Sequence, residues 1–256
     1  MRPDWRSYIH KIKIKEIDVV YGYLGERRFD AGLELGAGDG FQSNLLIRLC
    51  DTLHATEINA ERLEEQTFSN PKITFQILDA TKLNSVFEKE QFDFIFSSNL
   101  LEHIYPNPDL SLQQTNHLLR RDGLSVHIVP NGLWRLAATL LFYPNKFFNL
   151  LGRLQRPHTK RRKAFGNNVG KDEKRVVLSR FFPMPHGVSS NIFSEQLLFR
   201  RDRWKQVFET NGFDVLEILP GPVCSGYGFG WDRMRRFLEK RGASSLDIFI
   251  LRKKLK

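Results

Sequence analysis

Short apolar runs alternate with longer stretches whose apolar residues recur every three or four positions, and this alternation repeats along most of the chain. Ala31 to Leu35, Thr52 to Ile58, Ile73 to Leu78, Phe92 to Phe96 and Ser125 to Val129 read as strands, with Phe213 to Leu219 and Leu246 to Leu251 closing the series. Helical spacing is expected over Phe41 to Leu49, Leu110 to Leu119 and Arg201 to Asn211. A leading helix is expected too, with Ile12, Ile14, Ile17, Val19, Val20 and Tyr23 along one side. Arg120 to Leu124 reads as the stop of the second helix, with Gly123 past its last turn. Strands alternating with helices imply right-handed crossovers and a parallel sheet.

The first strand runs into Leu35-Gly36-Ala37-Gly38-Asp39-Gly40, a strand, tight turn and helix start. Glycine suits such a turn because positive φ is needed and because a Cβ would keep a ligand off the backbone. The spacing is G-x-G-x-G rather than the G-x-G-x-x-G of dinucleotide folds, and no Lys-Ser/Thr follows as in a phosphate-binding P-loop. Glu57 stands about twenty residues beyond the loop at the end of the next strand, where a carboxylate can accept from two ribose hydroxyls.

Length allows one large domain or two small ones, and the formal charge of +10 favours anionic partners without choosing among phosphorylated molecules, nucleic acid and acidic membranes. Two cysteines, Cys50 and Cys224, make no disulfide framework, and the amino end has no cleavable signal pattern, so reduced thiols and a cytoplasmic location are expected. Leu133 to Leu151 is aromatic and apolar but broken by Arg135, Pro144, Asn145 and Lys146, which argues against a membrane span. Arg153 to Arg180 follows, with Lys160-Arg161-Arg162-Lys163 at its centre. Aromatic bulk beside a basic run suggests peripheral contact of residues 134–180 with an anionic membrane, at its inner face. No zinc spacing or nucleic-acid-binding motif accompanies the charge, so nucleic acid ranks lower.

With Glu34 before Gly36-x-Gly38-x-Gly40, and Phe92-Asp93-Phe94-Ile95-Phe96 leading through Ser97-Ser98-Asn99-Leu100 into Leu101-Glu102-His103, the chain resembles the class I S-adenosylmethionine-dependent methyltransferases, in their small-molecule, family-11-like branch. The resemblance covers roughly residues 30 to 131 and returns over the last fifty. It implies an α/β, Rossmann-like, seven-stranded and mostly parallel sheet with helices on both faces and an antiparallel last strand. A single domain over 1–256 is expected, with an insertion at about 132–200 forming a lid or acceptor-binding region. S-adenosylmethionine is the implied cofactor, held by Glu34, Gly36, Ala37, Gly38, Gly40, Glu57, Ile58, Asp79, Ala80, Asn99 and Leu100; no metal is implied. Trp5 and Tyr8 would pack the leading helix or shape the pocket.

His103 is a candidate base for removing a proton from a hydroxyl. His186, in Pro185-His186-Gly187, and Glu195 nine residues on are second candidates, for acceptor binding or proton removal. The expected activity is methyl transfer to a small or lipid-linked acceptor, an oxygen nucleophile such as a saccharide hydroxyl. The alternatives are methylation of RNA or protein, a non-catalytic S-adenosylmethionine-binding scaffold, and an NAD-dependent oxidoreductase.

Overall fold

A computed structural model describes residues 5–62, 70–104, 108–144, 147, 192–225 and 232–254. Seven strands form one sheet in the order β3-β2-β1-β4-β5-β7-β6: β1 (Phe29–Leu35), β2 (Cys50–Glu57), β3 (Ile73–Ile77), β4 (Phe92–Ser98), β5 (Leu119–Pro130), β6 (Phe213–Pro220) and β7 (Leu246–Lys253). β1 pairs in parallel with β2 and β4, β2 with β3, and β4 with β5; β7 runs antiparallel to both β5 and β6. The described helices are α1 (Trp5–Leu24), α2 (Ser43–Leu46), α3 (Asp109–Leu118), α4 (Gly132–Leu140), α5 (Ile192–Leu198), α6 (Arg201–Thr210) and α7 (Asp232–Lys240). The Rossmann-like expectation holds.

Side chains alternate between the faces of the central strands, so the sheet has two cores. Phe94, Phe96, Ile128, Ile248 and Ile250 pack on the side of α1, through Tyr8, Ile12, Ile17 and Val20. Leu33, Leu35, Ile95, Phe249 and Leu251 pack on the side of α3 and α6, through Leu112, Trp204 and Phe208. Strands covered on both faces read as nearly continuous apolar runs, which is why β4 and β7 stand out in the sequence.

Four local expectations are corrected. α2 is four residues, not the nine of Phe41 to Leu49, because Arg48, Leu49 and Cys50 donate to carbonyls three residues back and tighten the chain straight into β2. Arg120 to Leu124 is not a turn but part of β5, with a register shift between Phe92 and Phe94 absorbing the irregularity. The Leu-Glu-His element is a single 3₁₀ turn, Leu101–His103. On α1 the buried stripe is Tyr8, Ile12, Glu16, Ile17, Val20 and Leu24, while Ile14 and Tyr23 are exposed, since a stripe of four-residue spacing faces the sheet.

Asp93 explains the early acid of β4. Its two carboxylate oxygens accept from the amides of Asp30 and Ala31 at 2.8 and 2.9 Å, fastening the start of β1 to β4.

Candidate cofactor and acceptor site

The carboxyl ends of β1, β2, β3 and β4 meet at one edge of the sheet, where open α/β folds bind ligands. Gly36, Gly38 and Gly40 have φ of 71°, 62° and 73°, a region costly for any residue with a Cβ, so the three glycines are demanded by the backbone path. A Cβ on Gly36 would lie 3.0 Å from Leu100, so the β4 loop packs directly on the bend. A Cβ on Gly38 would point into space whose nearest atom is Lys13 Nζ at 3.9 Å.

The loop is held from below by β2. The amides of Gly36 and Ala37 both donate to the Thr56 carbonyl, at 2.8 and 2.9 Å, and the Gly38 amide donates to Glu57 Oε2 at 2.9 Å. Glu57 Oε1 accepts from the Asn59 amide at 3.1 Å, and the side chain is almost fully buried. A carboxylate has about four acceptor positions, so two remain for a ligand's hydroxyls. The Leu78 amide donates to the Glu57 carbonyl, setting the ends of β2 and β3 side by side. Half-buried Asp79 follows; its Oδ1 accepts from the amide and hydroxyl of Thr81, each at 2.8 Å. Ile58 is 66% exposed at this rim, an apolar surface left bare between two acids, and half-buried Ala80 lies beyond Asp79.

Glu34 sits behind the loop, fully buried and bonded to the Ser43 hydroxyl; burial pushes its pKa up to about 7. It supports the loop from within the core, whereas the resemblance places it in the cofactor's set. Asn99 adopts φ 52°, rare for a side chain other than glycine; its amide donates to the Ile128 carbonyl and its side chain to Ser98 Oγ at 2.9 Å. Asn takes this conformation more readily than most residues, and such positions cluster at functional loops.

α1 roofs the loop. Glu16, fully buried, accepts from Ser98, Gln42 and, at 3.5 Å, Asn99, and so ties the helix to both the β4 loop and the start of α2. His10 stacks on Phe41 with ring centroids 3.7 Å apart and bonds Asp39 at 2.7 Å. Burial opposes ionisation of Asp39, but the bond from His10 and the Phe41 amide outweigh it and hold its carboxyl below the usual range. Between α1 and the loop lies a cavity of about 370 Å³ lined by Arg6, Ile9, Lys13, Gly38, Asp39, Glu61 and Arg62. Of the residues assigned to the cofactor from sequence, Gly38 alone lines it; Glu57 lies beneath Gly38, and Asp79 and Ala80 belong to the neighbouring rim.

His103 is exposed, with Nε2 3.8 Å from Glu102 Oε1. Glu102 is the unusual group: its side chain is 1% exposed and neither oxygen finds a hydrogen-bond donor of good geometry. Burial pushes it up to about 8 against the opposing effect of its own backbone amide, with the like charges of Glu16 and Glu195 adding less than either. Glu195 is not available to an acceptor, because it is fully buried in a 2.8 Å ion pair with Arg135 of α4. His186 lies outside the described residues, as does the Lys160 to Lys163 cluster. Tyr8 is a packing residue: its hydroxyl donates to the Ser225 carbonyl and accepts from the Ser225 amide, and Arg235 covers its ring; the side chain of Trp5 lies outside the described set.

The sequence reading looked to Trp5 and Tyr8 on α1 and missed His10, Lys13 and Glu16. One signal was present: Glu16 is an acid on the apolar stripe Tyr8, Ile12, Val20, Leu24, and an acid in such a place is there for a partner. Lys13, whose charge acts on Glu16, Glu34 and Asp39, gives no local sign.

The residues present fit an adenosyl cofactor: a glycine cradle that a Cβ would fill, an acid beneath it with free acceptor positions, and a bare apolar side chain between two strand ends. Among the described residues no group of His, Cys, Asp or Glu could hold a metal ion. Comparison with known proteins agrees. Residues 33–127 match the family model described as "Methyltransferase domain". No curated protein is significantly similar in sequence. Among solved structures, an assigned S-adenosylmethionine-dependent methyltransferase from Listeria monocytogenes superposes with a TM-score of 0.57 at 14% identity, covering 95% of this chain and 98% of that one. An assigned methyltransferase in complex with the Trm112 activator of Haloferax volcanii gives 0.58 at 11%, covering 98% and 93%. The [4+2]-cyclase SpnF gives 0.55 at 13%, covering 100% and 84%, so this fold also carries other chemistry. The glycine-cradled strand edge thus lies within a stretch, residues 33–127, that matches a methyltransferase domain, and the chain as a whole has the fold of the methyltransferase structures it superposes on.

Proposed function

We propose that the protein transfers a methyl group from S-adenosylmethionine to a hydroxyl of a small or lipid-linked acceptor, a saccharide being the best candidate. The observation that carries the cofactor's identity is the bond between the Gly38 amide and Glu57. In a dinucleotide site the loop amides face a diphosphate, whereas here the second glycine's N–H is already given to a carboxylate that would repel one. The same carboxylate suits ribose hydroxyls.

When bound, S-adenosylmethionine supplies a methyl group activated on a sulfonium. The chain has then to align the acceptor and remove its proton. Gly36 and Gly38 let the backbone approach the ligand, the remaining acceptor positions of Glu57 take the ribose hydroxyls, and Asp79 with Ile58 and Ala80 faces the base. Leu100 and Asn99 fix the loop from which His103 projects. His103, exposed and 3.8 Å from Glu102, is the candidate base.

Calorimetry tests the cofactor: S-adenosylmethionine gives a saturable binding isotherm and NADH gives none. Glu57→Ala and Asp79→Ala each weaken S-adenosylmethionine binding about tenfold or more, by loss of charge-assisted hydrogen bonds. Unchanged affinity in both variants overturns the assignment. Methyl-labelled cofactor incubated with enzyme and cell extract identifies the acceptor by mass, and label found only on protein or RNA refutes the small-acceptor reading.

A further inference from the structure

α4 leaves the carboxyl end of β5, beside the site, and has two unlike faces. Trp134, Ala138 and Phe142 are buried at 7, 4 and 6% exposure, with Trp134 packed edge-on to Phe199. Leu133, Leu136, Leu140 and Tyr143, at spacings of three, four and three, are 36, 50, 66 and 57% exposed, and Leu197 of the adjoining α5 is 61% exposed. The two helices are joined where Gln196 donates to the Gly132 carbonyl, so Leu197 extends the same apolar surface.

Cations border it. Arg201 pairs with Asp247, which accepts from Asn131, the residue that caps the start of α4; Arg200 precedes it and lies 3.5 Å from Asp202, and both arginine side chains are more than half exposed. The chain as a whole carries +10, and residues 151–191, which follow α4 in sequence and lie outside the described residues, hold ten Lys and Arg against two acids. Among the described residues no helix is long and apolar enough to cross a membrane.

We propose that the Leu133, Leu136, Leu140, Tyr143 and Leu197 surface seats the protein on an anionic bilayer, with α4 lying in the headgroup region. Apolar side chains enter the acyl boundary while positive charge draws the molecule to anionic lipid, and the two contributions reinforce each other. Resting on the methyltransferase reading, this surface delivers a lipid-linked acceptor to the strand edge from which His103 projects.

The full-length protein is sedimented with vesicles of phosphatidylcholine alone and of phosphatidylcholine mixed with phosphatidylglycerol. It binds the mixed vesicles, less so as salt is raised, and not the neutral ones. The double variant Leu136→Glu, Leu140→Glu lowers binding to the mixed vesicles about tenfold or more, with thermal stability and S-adenosylmethionine affinity unchanged. Equal binding by the variant, or equal binding to both vesicle types, overturns the proposal. A wild-type dimer that the variant splits assigns the surface to a second copy, and a large loss of stability in the variant assigns it to the chain's own packing; either result also overturns it. Vesicle binding without S-adenosylmethionine binding leaves this surface standing and refutes the enzymatic reading instead.

Discussion

Replacing Glu102 by Gln gives a test that needs no knowledge of the acceptor. In the folded protein the carboxyl holds its proton up to about pH 8, against an ordinary value of 4.5, because burial penalises the charged form and Glu16 and Glu195 add to the penalty. The unfolded chain releases that proton near pH 4.5, so between these limits the folded state binds more protons than the unfolded state. Stability therefore falls as pH rises through this window, by about 1.4 kcal/mol per pH unit, reaching a ceiling of about 5 kcal/mol above pH 8. Glu102→Gln cannot titrate and loses this dependence. Its own buried amide adds an offset of about 1–3 kcal/mol that does not vary with pH. The measurement is urea unfolding of both proteins at intervals from pH 5 to 9, with the difference in unfolding free energy plotted against pH. The difference climbs in favour of the variant up to about pH 8 and then levels. Glu34, raised to about 7 by burial, titrates in both proteins and cancels. A flat difference across the whole range would falsify the claim that Glu102 is buried without a donor.

Gly38→Ala should cost about 1–2 kcal/mol of stability from its left-handed φ while reducing S-adenosylmethionine affinity more than stability, since its Cβ enters open space at the cradle; equal affinity to wild type refutes the placement. Gly36→Ala meets Leu100 at 3.0 Å as well as positive φ, and thermal melts should show it the less stable of the two. Asp93→Ala strands the Asp30 and Ala31 amides and should lower stability by about 1–3 kcal/mol with slight effect on cofactor affinity, as urea unfolding and calorimetry together would reveal. His127, buried between Ser97 and Ser125, has its pKa pushed down to about 3 by burial, so its contribution is intact above pH 6.5 and is lost as pH falls toward 3. His127→Phe should accordingly show a shallower loss of stability between pH 6.5 and 4, and identical slopes would contradict this.

The fold was legible because its strongest signals are local. Gly36, Gly38 and Gly40 need positive φ wherever the rest of the chain goes, and strands buried on both faces advertise themselves as apolar runs such as Phe92 to Phe96. The start of β5 was misread because Arg120, Arg121, Asp122 and Gly123 have turn composition, and only the pairing of Leu119 and Leu124 on either side of them with β4 makes them an irregularity within a strand. Glu195 was misread for a similar reason: whether a carboxylate is free depends on Arg135, sixty residues away, which no local spacing reveals. His10, Lys13 and Glu16 became part of the site through the docking of α1, which is equally non-local.

That docking has an implication for synthesis. α1 precedes every strand of the sheet in sequence, yet its anchors include Ser225, which clasps the Tyr8 hydroxyl, and Glu239, which takes the Lys15 ammonium at 2.8 Å. These partners lie 217 and 224 residues downstream, nearly the whole length of the chain. A ribosome-bound intermediate can thus complete β1 to β4 and the glycine bend while its roof still lacks two of its fastenings. The roof over the glycine bend is therefore fully fastened only after Ser225 and Glu239 have been made, well after the bend itself.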